Sequence, residues 1–213
     1  MPIYNRIADF HEDLVATRRD IHAHPELGFE EHRTSDLVAQ QLESWGIEVH
    51  RNIATTGVVG VLKGSGNSER SIGLRADMDA LPMDEEGTPE HRSKNAGKMH
   101  ACGHDGHTTM LLGAARYLAE TKNFDGTVHF IFQPAEEGGG GGRVMVEEGL
   151  FDKFECDTVW GMHNSPNLPA GTLAIRPGPL MAAVDMAKIT INAQGCHAAQ
   201  PHMGKDPIAV GVQ

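Results

Sequence analysis

Basic, aromatic and cysteine side chains are all scarce in this chain of 213 residues. Lys and Arg total 18 against 29 Asp and Glu, which gives a formal net charge of −11, and aromatic residues make up only 5%. Nucleic-acid and anionic-membrane surfaces need clustered cations, so this balance argues against both kinds of partner. We interpret the acidity as a solubility feature.

Cysteine use and hydrophobic patterning exclude further classes. Three widely spaced cysteines do not make a disulfide framework, so a reducing compartment is expected (Cys102, Cys156, Cys196). No window approaches about 18 apolar residues, and no basic segment followed by an apolar one opens the chain. The sequence therefore predicts a cytoplasmic protein with neither a membrane span nor a signal peptide.

Apolar periodicity alternates between helix and strand along most of the chain. Helical spacing covers residues 3–21, 31–45, 105–119 and 144–148, and short apolar runs typical of strands cover residues 58–62, 72–75, 128–132 and 158–162. The alternation predicts an α/β fold with a mainly parallel central sheet.

The pattern changes after about Pro179. Residues 184–193 alternate apolar and polar side chains, which predicts a strand with one solvent-exposed face. Asp206 and Pro207 fit the N-cap and the first residue of a helix. One strand and one helical turn have no core of their own, so we expect the chain to be a shortened piece of a longer protein.

The segment from Met99 to His107 concentrates potential metal ligands and acid/base groups. A single glycine separates Cys102 from His104, so thiolate and imidazole can face one point, as in a metal site. Asp105 fits either a helix cap or the support of a ligand histidine. His107 fits a packed histidine as well as a functional one.

Two adjacent carboxylates, Glu136 and Glu137, follow a strand predicted to be buried. In a tight loop one of them can bind metal while the other accepts the proton of a metal-activated water, the division of labour that hydrolysis needs. A solvated acidic turn is the alternative. The glycine run at residues 138–142 lacks the Gly-Lys-Ser/Thr ending of a phosphate loop, so close backbone approach explains it better.

Acids and imidazoles follow three of the predicted strands. Asp77 and Asp79 follow the second strand, the Glu136–Glu137 pair the third, and His163 the fourth. Ligands of open α/β sheets bind beyond the carboxyl ends of the strands, so these side chains are expected to converge. One of the two aspartates can orient a metal-bound histidine, or the pair can simply form a β-turn.

Five ordered motifs extend over essentially the whole chain. They are residues 18–28, 75–82, 99–107, 133–142 and 195–202, the last followed by 206–208. They resemble the metal-dependent amidohydrolases grouped with hippurate hydrolase, N-acyl-L-amino-acid amidohydrolase and the plant auxin-conjugate hydrolases, which are related to aminoacylase and carboxypeptidase G2. The resemblance implies a three-layer α/β catalytic domain, here residues 1–180. It also implies an inserted α+β lid or dimerisation domain, of which residues 181–213 are the beginning.

The same resemblance implies a di-metal active site. The metal ligands would be Cys102, His104, Glu137 and His163, with Cys102 bridging the two ions. Glu136 would be the general base that activates the metal-bound water, and Asp79 the acid behind the ligands. His197 would be a lid histidine that helps to stabilise the tetrahedral oxyanion, often across a dimer.

The implied reaction is hydrolysis of the amide bond of N-acyl amino acids such as hippurate, or of short peptides. Zn²⁺, Mn²⁺, Co²⁺ and Ni²⁺ all suit the mixed ligands, and a homodimer through the lid is expected of the full-length protein. Two alternatives stay open. One is a catalytically incompetent truncated fragment that only binds metal, because relatives carry their last histidine ligand beyond Gln213. The other is a cysteine-dependent hydrolase that relies on Cys102. A Cys196–His197 nucleophile pair is also conceivable, but no Asn or Asp that would orient it is identifiable.

Overall fold

The computed structural model describes residues 5–213, which fall into two compact units. The first unit ends at Gly171, and the second runs from Thr172 to Gln213. Among the described residues, no helix combines the length and the apolar character needed to cross a membrane.

The first unit alternates helices and strands, as the periodicity predicts. Its helices are α1 (Asn5–Asp9), α2 (His11–Ala23), α3 (His32–Ser44), α4 (His104–Thr121), α5 (Gly141–Glu147) and α6 (Leu150–Lys153). Its strands are β1 (Glu48–Ile53), β2 (Gly57–Lys63), β3 (Ser71–Asp77), β4 (Thr127–Gln133) and β5 (Thr158–Gly161).

Two details differ from the sequence prediction. The helix expected over residues 3–21 is divided at Phe10, which is buried and has non-helical backbone angles, and its first two residues lie outside the described part. Strand β1 was not predicted. Its side chains are exposed or half-buried along the whole strand, so its sequence lacks the apolar run or clean alternation that identifies a strand.

The five strands form one mixed sheet in the order β1-β2-β4-β3-β5. Strand β3 is parallel to both β4 and β5, whereas β2 is antiparallel to β4 and to β1. Only β2 therefore runs against the other four strands, which confirms the mainly parallel sheet. The carboxyl ends of β3, β4 and β5 lie side by side at one edge.

Helices cover both faces of this sheet, so the unit has three layers. On one face Leu42 of α3 and Leu112 of α4 pack against Phe130 and Phe132 of β4. On the other face Met145, Leu150 and Phe154 pack against Val59 and Ile131. Alternate residues of β4 thus point into different cores, which explains its near-continuous apolar sequence.

The second unit contains a 3₁₀ turn (Pro201–Met203) and the short helix α7 (Pro207–Gly211). Helix α7 begins as predicted, because the Asp206 side chain accepts the N–H of Ile208 at 2.9 Å. The strand predicted over residues 184–193 is wrong, since none of these residues is in a strand. Alternation supplies an apolar face, but a strand also needs a neighbour for its backbone N–H and C=O groups.

Candidate metal centre

The candidate site lies where three parallel strands end. Asp77 at the end of β3 pairs with Gln133 at the end of β4, and β5 ends beside β3 at Gly161. The chain beyond β3 supplies Asp79, the chain beyond β4 supplies the two adjacent glutamates, and the chain beyond β5 supplies His163. The topology therefore places acids and an imidazole at one edge of the sheet.

The start of α4 brings two more side chains to this edge. Gly103 is the N-cap residue and has a φ of +98°, a conformation that glycine adopts without strain. A Cβ atom there would also lie 2.5 Å from the side-chain oxygen of Asn164. The glycine thus allows Cys102 and His104 to flank a sharp turn packed beneath the loop after β5.

His104 is fully buried and has one ring nitrogen without a hydrogen-bond partner. Its Nδ1 lies 3.3 Å from Oδ1 of Asp79. The unpartnered Nε2 lies 3.6 Å from Oδ2 of Asp77, 3.7 Å from Oε1 of Glu137 and 3.9 Å from Oε2 of Glu136. A buried unpaired nitrogen is costly, and a histidine whose other nitrogen is held by a carboxylate has the arrangement of a metal ligand.

All four predicted ligands belong to two groups of side chains that share His104. In one group Cys102, His104 and His163 offer ligand atoms within 4.8 Å of one another, and in the other His104 does so with Glu136 and Glu137. Sulfur, imidazole and carboxylate are the donors expected around a divalent metal ion. The residues therefore fit such an ion.

His163 is oriented by its own neighbour. Its Nδ1 donates to the backbone oxygen of Asn164 at 2.7 Å, so the lone pair is on Nε2. That Nε2 lies 3.3 Å from the Sγ of Cys102. Both ligand atoms thus face the same point, in the tautomer that metal binding requires.

A third group, Asp77 with His104 and His107, was not predicted. His107 Nδ1 donates to Oδ1 of Asp77 at 2.6 Å, and Arg75 donates to the other oxygen at 2.8 Å. His107 Nε2 accepts the backbone N–H of Asn164 at 3.0 Å. Both oxygens of Asp77 thus accept hydrogen bonds, and this buried group lies next to the candidate ligands. The spacing of three residues between His104 and His107 on α4 was the available signal.

Asp79 contacts both the ligand helix and the glutamates. Its Oδ1 faces His104, and its Oδ2 accepts the backbone N–H of Glu137 at 2.9 Å. The alternative of a simple β-turn does not describe these contacts, because the carboxylate bridges two segments far apart in sequence.

Asp105 also supports a histidine, but not one of the proposed ligands. Its carboxylate accepts from His22 Nδ1 at 2.9 Å and from Arg18 at 3.1 Å, and His22 reaches Glu85 through its other nitrogen. Gly103 is the N-cap residue of α4 and Asp105 lies in the first turn of that helix, so Asp105 is not its N-cap. His100 lies in the same buried region, with its ring centroid 6.4 Å from that of His22.

Buried charges shift several pKa values at the site. Burial raises the pKa of Asp77, but the hydrogen bond from His107 and the Arg75 charge outweigh it and lower the value to about 2. Burial and the neighbouring Glu137 raise the pKa of the Cys102 thiol to about 12. Burial lowers the pKa of His104, yet Asp79 and Asp77 raise it overall. The excess of acidic groups favours a cation at this point.

A comparison with known protein families shows to which family the chain belongs. Residues 73–211 match the family described as peptidase family M20/M25/M40. The chain belongs to this family. Two of its M20 relatives are hippurate hydrolase of Campylobacter jejuni, 49% identical over 208 residues, and IAA-amino acid hydrolase ILR1-like 4 of Arabidopsis thaliana, 48% identical over 201 residues.

These matches cover 98% and 94% of this chain but 54% and 45% of the two relatives. The chain thus spans about half the length of the curated M20 relatives it matches. Among solved M20 structures, the Bacillus subtilis YXEP protein is described as a dinuclear metal-binding peptidase. It superposes with a TM-score of 0.77 at 42% identity, covering 81% of this chain and 48% of that one.

His197, the remaining predicted site residue, lies in the second unit. Its Nδ1 accepts the backbone N–H of Ala199 at 3.1 Å, so a neutral ring carries its proton on Nε2. The contacts given above for the other predicted site residues join residues of the first unit.

Proposed function

We propose that this chain is the metal-binding part of an M20 amide hydrolase that acts on N-acyl amino acids, such as hippurate, or on short peptides. The observation that carries the proposal is the buried, unpartnered Nε2 of His104, which faces both Glu136 and Glu137. The names of the two relatives, hippurate hydrolase and IAA-amino acid hydrolase, support amide bonds of acylated amino acids as the target.

Each proposed role follows from the contacts of the side chain. Cys102, His104, Glu137 and His163 would hold divalent metal, which would supply polarisation of the scissile carbonyl and acidification of water. Glu136 is the general base: its carboxylate is 40% exposed and 3.9 Å from His104, so it can accept the proton of the attacking water and pass it to the leaving nitrogen. Asp79 keeps His104 in the tautomer with its lone pair on Nε2.

We propose two ions for the complete enzyme, as the resemblance to di-metal amidohydrolases implies; the single free nitrogen of His104 can bind only one of them. The dinuclear metal-binding description of the YXEP protein supports this number. The mixed donors suit Zn²⁺, Mn²⁺, Co²⁺ and Ni²⁺, and the thiolate favours the softer ions of this set.

The second unit is proposed to begin a lid or dimerisation domain, with the domain boundary near residue 180. His197 would supply the Nε2–H as a donor to the tetrahedral oxyanion of the substrate carbonyl, from its own or a partner subunit. The full-length protein would then be a homodimer. We also propose a reducing, cytoplasmic location, which the three free cysteines support.

The experiment is an assay of hippurate and N-acetyl amino acid hydrolysis after loading with Zn²⁺, Mn²⁺ or Co²⁺. We expect Glu136→Ala to lower kcat by about 10²- to 10⁴-fold while metal binding stays intact, because it removes the base and no ligand. Glu147→Ala, on an exposed helix face, is the matched control and should retain activity.

The first of three outcomes would restrict the activity to the longer protein, and the other two would contradict the proposal. Metal binding with no turnover, restored only in a longer version of the chain, would identify this sequence as a metal-binding part without activity of its own. Chelator-insensitive activity that Cys102→Ser abolishes would identify a cysteine hydrolase. Full activity in Glu136→Ala would remove Glu136 from the mechanism.

A further inference from the structure

The two glutamates lie on a backbone segment of unusual conformation, the glutamate loop (residues 134–138). Ala135, directly before Glu136, has a φ of +49° and is fully buried, although it is not a glycine. A left-handed conformation at such a residue is strained and persists only where its surroundings hold it. The side chains that hold this loop therefore control where Glu136 and Glu137 point.

Close packing restricts the loop from one side. A Cβ atom added to Gly28 would lie 2.9 Å from the Cβ of Ala135, and one added to Gly139 would lie 2.6 Å from it. The two glycines let the backbone near residue 28 and the backbone just after the glutamate loop approach Ala135 closely. This packing confines the methyl group but leaves the backbone N–H of Ala135 to be satisfied elsewhere.

That N–H donates a hydrogen bond to a carboxylate 104 residues earlier in the chain. Glu31, the residue before α3, is fully buried and accepts the Ala135 N–H on Oε1 at 2.8 Å. Its Oε2 accepts the hydroxyl of Thr56 at 2.5 Å. A buried carboxylate is costly unless it is fully bonded, so its presence beneath the loop needs a reason.

Thr56 gives Glu31 a fixed position. It is 1% exposed and lies in the turn between β1 and β2, where Ala54 and Thr55 also have positive φ angles. A Cβ atom added to the adjacent Gly57 would lie 3.1 Å from Pro134. The turn and the glutamate loop are therefore neighbours, and Glu31 is bonded to both.

We propose that Glu31 is a positioning residue, which fixes the strained glutamate loop through its bond to Ala135 and thereby aims Glu136 and Glu137. Asp79 holds the loop at a second point, through the N–H of Glu137. The loop is thus fixed by two buried carboxylates, one before and one after Glu136. The predicted effect on catalysis rests on the proposed function. The predicted effect on the structure of the loop does not.

The test compares Glu31→Leu with Glu31→Gln and Thr56→Val. Leucine fills a similar volume but leaves the Ala135 N–H unbonded, whereas glutamine keeps an oxygen that can accept it. Thr56→Val removes the other hydrogen bond of Glu31 and keeps the bond to Ala135, so it controls for lost stability. Thermal unfolding of all three variants measures that loss.

The first readout is amide hydrogen exchange in the metal-free chain. We expect the amide of Ala135 to exchange at least about tenfold faster in Glu31→Leu, because the opening of the loop no longer breaks a hydrogen bond. Peptides from β4 should be unchanged, which separates loop opening from global unfolding. Glu31→Gln and Thr56→Val should resemble the wild type.

The second readout is metal binding and turnover. Because Glu137 lies on the loop, Co²⁺ affinity should fall about tenfold in Glu31→Leu, and the cobalt absorption spectrum should change. Where the wild type hydrolyses its substrate, kcat should fall by about 10- to 100-fold with KM within about threefold, since a misaimed base affects the chemical step. Glutamine should restore both values.

Equal exchange and Co²⁺ affinity in Glu31→Leu and Thr56→Val would overturn the inference, as would a glutamine variant that behaves like leucine. Should Glu31→Leu fail to fold, Glu31→Asp decides. Its shorter side chain cannot reach both donors, so fast exchange is expected, and wild-type exchange would contradict us. An inactive wild type would defeat the proposed function alone, because exchange and Co²⁺ binding still report on the loop.

Discussion

The two sides of the candidate metal centre differ in how firmly they are held. The inner side (Asp77, Asp79, His104, His107) is at most 2% exposed, and hydrogen bonds link its aspartates to its histidines. The outer side (Cys102, Glu136, Glu137, His163) reaches solvent, with 40% and 22% of the two glutamate side chains exposed. The candidate ligand His104 is thus held from within the protein, while the proposed base Glu136 and the other candidate ligands remain accessible to solvent.

The largest effect is expected from removing the residue that joins both sides. His104→Gln should weaken Zn²⁺ or Co²⁺ binding by more than about 100-fold, because it deletes the ligand shared by both groups, and outer residues alone would have to hold the ion. Isothermal titration calorimetry measures the affinity. His129→Gln, which alters a buried histidine of β4 on the other face of the sheet, should bind like the wild type. Equal losses in both variants would show that general destabilisation is the cause.

The next effect comes from weakening the support on the inner side. Asp79→Asn should lower metal affinity by about 10- to 100-fold, because the amide orients His104 less firmly and holds the Glu137 N–H more weakly. Asp36→Asn on the exposed face of α3 is the matched control. Unchanged affinity in Asp79→Asn would mean that packing alone fixes His104.

The inner side should also respond to acid. The pKa of Asp77 is lowered from 3.8 to about 2, so its charge stabilises the folded state above about pH 4, and this contribution is lost as the pH falls towards 2. The difference corresponds to about 2 kcal/mol in the metal-free protein. Urea unfolding between pH 5 and about 2.5 measures it. In Asp77→Asn this part of the pH dependence should disappear, and an unaltered slope would argue against the assigned interactions.

The smallest effect concerns a single proton on the outer side. Since burial and Glu137 raise the pKa of Cys102 to about 12, the thiol is protonated at neutral pH and must lose its proton when metal binds. Apparent affinity should then rise by up to about tenfold for each pH unit. Calorimetry in two buffers of different ionisation enthalpy counts the released proton. Cys102→Ser should lose this release and Cys156→Ser should keep it; release from both would exclude the thiol as its source.

Much of the fold follows from periodicity. Strand β4 is recognisable because both of its faces are buried, and α4 because its apolar residues recur at helical spacing. Periodicity does not predict strand β1, because most of its side chains are polar and its position depends on pairing with β2. Residues 184–193 show the opposite error, since an alternating pattern does not by itself provide a pairing partner.

The candidate ligands could be predicted from the sequence for a similar reason. Three of them follow a predicted strand or directly precede a predicted helix, and their side-chain chemistry is visible without the fold (Cys102, His104, Glu137 and His163). The position of Glu31 beneath the glutamate loop could not be predicted from the sequence. This residue is a glutamate in a polar stretch, and its partner Ala135 is 104 residues away along the chain. The sequence identified Asp77 as a candidate acid, but its hydrogen bonds with His107 and Arg75 are visible only in the folded structure.

The sequence by itself determined which elements form and which donor atoms stand at their ends, because periodicity, glycines and side-chain chemistry act over a few residues. Tertiary structure alone decided which nitrogen of His104 is left unpaired and which carboxylates hold the glutamate loop. These facts depend on contacts between segments distant in sequence. Only close packing in the folded chain forces each buried polar atom to find a specific partner.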